Sequence, residues 1–77
     1  MEAGMPLSLT KPGEKASVNR IGGGDGVKRR LETLGFTAGT EVRVLSRLAD
    51  SLIVMVRDSR IALSGELARR VMVSVVA

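Results

Sequence analysis

The sequence predicts a mostly β fold: a small barrel of about five short strands, with one short helix inserted early and a single helical turn before the last strand. Three observations carry this. The chain has 77 residues, enough for one domain. Hydrophobic residues make up 44% of it but aromatic ones only 1%, so the core must be built from Val, Leu, Ile, Ala and Met around a single ring, Phe36. The β-branched share of that set favours strands. Finally, the apolar segments are short and punctuated by Gly and Pro. So many short strands in so few residues do not make two packed sheets, and a barrel removes the edges they would otherwise expose.

Residues 1–6 read as an N-terminal extension and 7–77 as the domain. Lys11-Pro12-Gly13-Glu14 has the layout of a type II turn, with Pro presetting φ and Gly at the position that needs φ > 0. A strand follows from Lys15 to Ile21. In Gly22-Gly23-Gly24-Asp25-Gly26, Asp25 is an N-cap for a helix from about Gly26 to Leu34. Val27, Leu31 and Leu34 form its apolar stripe, and Lys28, Arg29 and Glu32 face solvent. Gly35 is the left-handed stop, and Phe36 leads into the core.

Thr37-Ala38-Gly39-Thr40 repeats the turn layout, with Ala where Pro would be ideal, and a strand runs from Glu41 to Leu48. Val42 and Val44 flank Arg43 in the alternation of a half-buried strand. Ala49-Asp50-Ser51 is a polar break. Leu52 to Arg57 reads as a central strand packed on more than one side, linked by Asp58-Ser59 to Arg60–Leu63 in a tight hairpin. Ser64 caps a helical turn through Glu66 to Arg69, with acid and base in the order the dipole favours. Val71 to Val76 is the last strand, and its edge is one that a second copy could pair with.

Several function classes lack their residues. With neither Cys nor His in the chain, disulfides are excluded, and no thiolate or imidazole is present for a zinc or ferrous site. The longest apolar run, Leu52 to Val56, is far short of the roughly 20 residues a membrane helix needs. No secretory signal is apparent at the start. The glycine run fits neither the P-loop nor the dinucleotide fingerprint, because Val27 or Lys28 falls where glycine is required. No nucleophile–base arrangement is present. The sequence therefore predicts a non-enzymatic protein with no catalytic residues, no metal site and no cofactor. Met55 and Met72, in strand patterns, read as core filler. The net charge of +4 permits an anionic partner. Single-stranded nucleic acid is not expected, because only Phe36 is available for stacking.

Four pieces in order resemble the FeoA family, the ferrous iron transport protein A domains. They are Leu9-Thr10-Lys11-Pro12-Gly13-Glu14-Lys15-Ala16; Arg29-Arg30-Leu31 with Leu34-Gly35; Gly39-Thr40-Glu41-Val42; and Arg60-Ile61-Ala62-Leu63 followed by Glu66 and Ala68. Ala38 departs from the family's usual Pro. The resemblance spans Leu7 to about Val73. It implies an SH3-like barrel in the cytoplasm that works with FeoB, the membrane GTPase and ferrous-iron permease, by protein–protein contact, recruited to the inner face of the membrane by that partner rather than inserted in it. The contact residues expected are Lys28, Arg29 and Arg30 for electrostatic steering, with Leu34, Phe36 and Gly39 as the surface. The same barrel resembles the C-terminal domain of metal-dependent repressors, here without a preceding DNA-binding domain. A stand-alone regulatory or nucleic-acid-binding barrel is therefore the alternative.

Overall fold

In the computed structural model, residues 4–75 are described. Six strands form one antiparallel sheet in the order β1-β6-β2-β3-β4-β5. Their ranges are β1 Met5–Pro6, β2 Lys15–Ile21, β3 Glu41–Leu48, β4 Ser51–Val56, β5 Ser59–Ser64 and β6 Val71–Val75. A 3-10 turn, Leu7–Leu9, follows β1. Helix α1 covers Asp25–Thr33 and α2 covers Gly65–Ala68. The strand beyond the five anticipated is β1: Met5 and Pro6, read from the sequence as extension, pair with Val73 and Met72.

Alternation decides the inside of the barrel. Val42 and Val44 of β3, Leu52, Val54 and Val56 of β4, and Val71 and Val73 of β6 are buried with Leu7, Leu31, Leu63 and Phe36. The sheet curls because two strands carry bulges, at Asn19 in β2 and at Leu45 in β3, where the pairing register slips. An extra residue bends and twists the strand that holds it. The Asn19 Nδ2 donates to Ser74 Oγ at 2.9 Å and so pins the first bulge to β6. Arg47 donates to the carbonyls of Ser8 and Thr10 at 2.6 and 3.0 Å, tying the 3-10 turn to β3.

The two Gly-centred turns form as the sequence requires. Glu14 N–H donates to Lys11 O at 3.1 Å and Thr40 N–H to Thr37 O at 3.0 Å, with φ +94° at Gly13 and +89° at Gly39. Each turn also locks onto the opposite strand: Gly13 N–H donates to Val44 O at 2.7 Å and Gly39 N–H to Val18 O at 2.8 Å.

Four expectations shift. Helix α1 starts one residue early, at Asp25, with Gly24 as an N-cap that supplies no side-chain bond. Asp25 thus stands in the first turn, where it favours the helix dipole instead of capping it. Strand β4 ends at Val56, because Val56 pairs with Ser59 and leaves Arg57-Asp58 as the two-residue link. Nor is β4 buried on both faces: Ser51, Ile53 and Met55 are only half-buried on its outer side. Met55 and Met72 are likewise half-buried, each lining an outer cleft rather than the core. Val76 of the anticipated last strand lies outside the described residues.

Candidate interaction surfaces

The end of α1 places the first surface. Leu34 is its C-cap, followed by Gly35 at φ +111°. Phe36 N–H donates to Leu31 O and Gly35 N–H to Glu32 O, both at 3.0 Å. This is the Schellman arrangement, and its usual apolar contact is supplied by Leu31 and Phe36, both fully buried. The left-handed stop reverses the chain so that the ring enters the core and the turn Thr37–Thr40 lands on β2.

Two clefts open beside that turn. The larger, about 590 Å³, is lined by Gly4, Ser17, Val18, Asn19, Arg20, Ala38, Gly39 and Met72. The smaller, about 240 Å³, is lined by Asn19, Arg20, Ile21, Lys28, Glu32, Phe36 and Ala38. Because they share Asn19, Arg20 and Ala38, they make one groove. It exists because the bonding between β2 and β3 ends at Val18, which meets Thr40 and Gly39, and the two strands part from the Asn19 bulge onward.

The structure therefore brings Lys28, Phe36 and Gly39 to one groove and leaves Arg29, Arg30 and Leu34 outside its lining. Phe36 is fully buried, so it supports the groove from beneath and is not a free contact. Leu34 is 39% exposed at the end of α1, the level of a side chain available to a partner. Lys28, Arg29 and Arg30 are all exposed.

A second surface was missed by sequence reasoning. A cleft of about 500 Å³ on the outer face of the sheet is lined by Lys15, Thr40, Glu41, Arg43, Met55 and Arg57. In register, Lys15 stands opposite Arg43, Arg43 opposite Met55, and Met55 opposite Arg60, so one row crosses four strands. The alternation of Val42, Arg43 and Val44 was legible as a signal that Arg43 faces outward. The pairing that brings Lys15 to it was not. Among the described residues, no group of three or more His, Cys, Asp or Glu is placed to hold a metal ion. No helix among them is long and apolar enough to cross a membrane.

The FeoA domain model matches residues 5–75. The chain belongs to the FeoA family. This FeoA domain is 32% identical over 68 residues to the "Putative Fe(2+) transport protein A" of Methanocaldococcus jannaschii, covering 88% of this chain and 83% of that protein. It superposes on a crystal structure of an iron uptake regulatory protein (FeoA) with a TM-score of 0.89 at 35% identity, covering 97% of this chain and all of the other. It also matches the zinc-complexed FeoA of Stenotrophomonas maltophilia, described as a prokaryotic SH3 domain protein, with a TM-score of 0.80 at 34% identity and coverage of 91% and 89%. The SH3-like barrel is thus the fold of this FeoA domain. The same fold recurs in a manganese-dependent transcriptional repressor, with a TM-score of 0.90 at 22% identity over 99% of this chain and 43% of the repressor.

Proposed function

We propose that this FeoA chain is a non-enzymatic accessory of bacterial ferrous-iron uptake that works in the cytoplasm by binding the cytoplasmic GTPase domain of an FeoB-type transporter. The observation that carries the reading is the family match across residues 5–75, reinforced by a relative named for Fe(2+) transport. The surface supports contact rather than chemistry, since it offers open grooves bordered by exposed cations. The groove beside α1 is the proposed contact. Leu34 provides an apolar anchor at its margin, Lys28, Arg29 and Arg30 steer an acidic face toward it, Gly39 gives the partner close access to the backbone, and Phe36 holds the floor.

Titration calorimetry of the full chain against the transporter's GTPase domain, with and without guanine nucleotide, tests this reading. The expected result is association at about micromolar concentration, weakened at least about tenfold by Leu34→Asp, because truncated apolar anchors commonly cost that much. No association in either nucleotide state overturns it. The likeness to the repressor rests on fold alone. It favours a regulatory role only if the transporter domain fails to bind.

A further inference from the structure

We infer that the cationic cleft across β2, β3 and β4 is a docking site for an acidic, extended segment of a partner protein. The inference deepens the adaptor reading above and rests on it. Two structural liabilities converge on this cleft. Lys15 and Arg43 are directly opposed across β2 and β3, an arrangement in which like charges destabilise a sheet. Arg57 holds φ +56°, a left-handed backbone that glycine adopts far more easily. The carboxylate of Glu14, next to Lys15 in the chain, accepts from the Lys11 N–H at 2.7 Å. The cleft therefore presents Lys15, Arg43 and Arg57 against Glu41 alone, with Arg60 continuing the row beyond Met55.

The lining selects among anions. Strands lie about 4.8 Å apart, so the row from Lys15 to Arg60 extends on the order of 14 Å. An extended peptide covers that length in about four or five residues, bringing alternate side chains to the same face. Half-buried Met55, between Arg43 and Arg60, offers an apolar seat between carboxylates. No ring among the lining residues can stack a base, which disfavours a single-stranded nucleic acid. A second copy of this chain cannot supply the segment either. Its eight acidic residues are scattered singly along the sequence, never adjacent.

The probe is a fluorescently labelled peptide of about ten residues alternating glutamate and leucine, followed by anisotropy from about 50 to 300 mM salt. The wild-type chain is expected to bind it and to weaken about tenfold across that range, because exposed charges are screened beyond a Debye length. Arg43→Thr and Arg57→Gly are each expected to lose about tenfold in affinity without a fall in Tm, whereas Arg69→Gln, the same charge loss at the C-cap of α2 and outside the cleft lining, leaves affinity unchanged. The inference is overturned if the peptide is not bound, if Arg69→Gln weakens it as much as Arg43→Thr, or if a single-stranded oligonucleotide or anionic vesicles bind more tightly than the peptide. Repeating the series with the transporter's GTPase domain separates the two proposals. A domain that binds wild type and Arg43→Thr equally sinks the cleft and leaves the adaptor role intact. A domain that binds neither sinks the adaptor role, and the peptide then judges the cleft alone.

Discussion

The groove beside α1 and the cationic cleft sit at opposite ends of one strand pair, and they are made in opposite ways. At the paired end, where Lys15–Ser17 meet Glu41–Arg43, the sheet is regular and the cleft is built from side chains alone. At the parted end, β2 bulges at Asn19, α1 has been inserted, and the turn Thr37–Thr40 folds back onto Val18. There the backbone makes the groove, and side chains only furnish it. A surface made by backbone is sensitive to conformational substitutions and tolerant of charge changes. One made by side chains on a regular sheet should behave the other way round.

Gly35→Ala is the strongest way to break the groove. The position has φ +111°, and an added Cβ would stand 3.1 Å from Val56 Cγ1. Left-handed backbone costs a non-glycine residue about 1–2 kcal/mol, and the contact with a buried valine adds to it. A loss of about 2–3 kcal/mol in urea unfolding is expected; a loss under about 1 kcal/mol would mean that the helix stop relaxes and that the groove is not fixed by it. Gly39→Ala separates the two costs. Its φ is +89° but nothing lies within 4 Å of its Cβ position, so backbone strain alone applies, about 1 kcal/mol. Equal losses at the two glycines would show that the Val56 contact contributes nothing.

The same contrast explains what was legible in the sequence. Both turns and the helix stop at Gly35 could be read directly, because each is dictated by neighbours within a few residues; Phe36, expected both to lead into the core and to contact a partner, is fully buried. The link between β4 and β5 was placed one residue late, because a hairpin link of Arg57-Asp58 asks an arginine to take a conformation no sequence rule would give it. Met5–Pro6 looked like extension because two residues carry no periodicity; only the partner strand, 68 residues away (Met5 with Val73), makes them a strand. The groove was half legible. Lys28 and Gly39 were found through local motifs, whereas Asn19 and Arg20 enter it only because β2 bulges. The cationic row was illegible, since the opposition of Lys15 and Arg43 is a property of pairing and not of either segment.

Ala38→Pro should tighten the groove's turn. Ala38 is the second residue of the type II turn, the position where proline presets φ, and its N–H makes no backbone bond outside the regular elements. The expected gain is about 0.4–1 kcal/mol, read as a higher urea midpoint at unchanged m, because the effect acts mainly through the unfolded chain. A loss would show that Thr37 cannot adopt the extended backbone that a following proline demands.

The smallest expected effect is the most diagnostic for the cleft. Arg43→Thr removes one member of a like-charged cross-strand pair and replaces it with a residue suited to strands. Relief of such a pair is worth about 0.2–1 kcal/mol, so the variant should unfold at slightly higher urea than wild type in low salt. The two cations are exposed, and salt screens their repulsion. Raising salt should therefore stabilise wild type more than Arg43→Thr and close the gap between them. A gap that persists at high salt would assign the gain to packing or propensity. The Lys15–Arg43 opposition would then be no liability, and the argument that an outside anion answers it would lose its first premise.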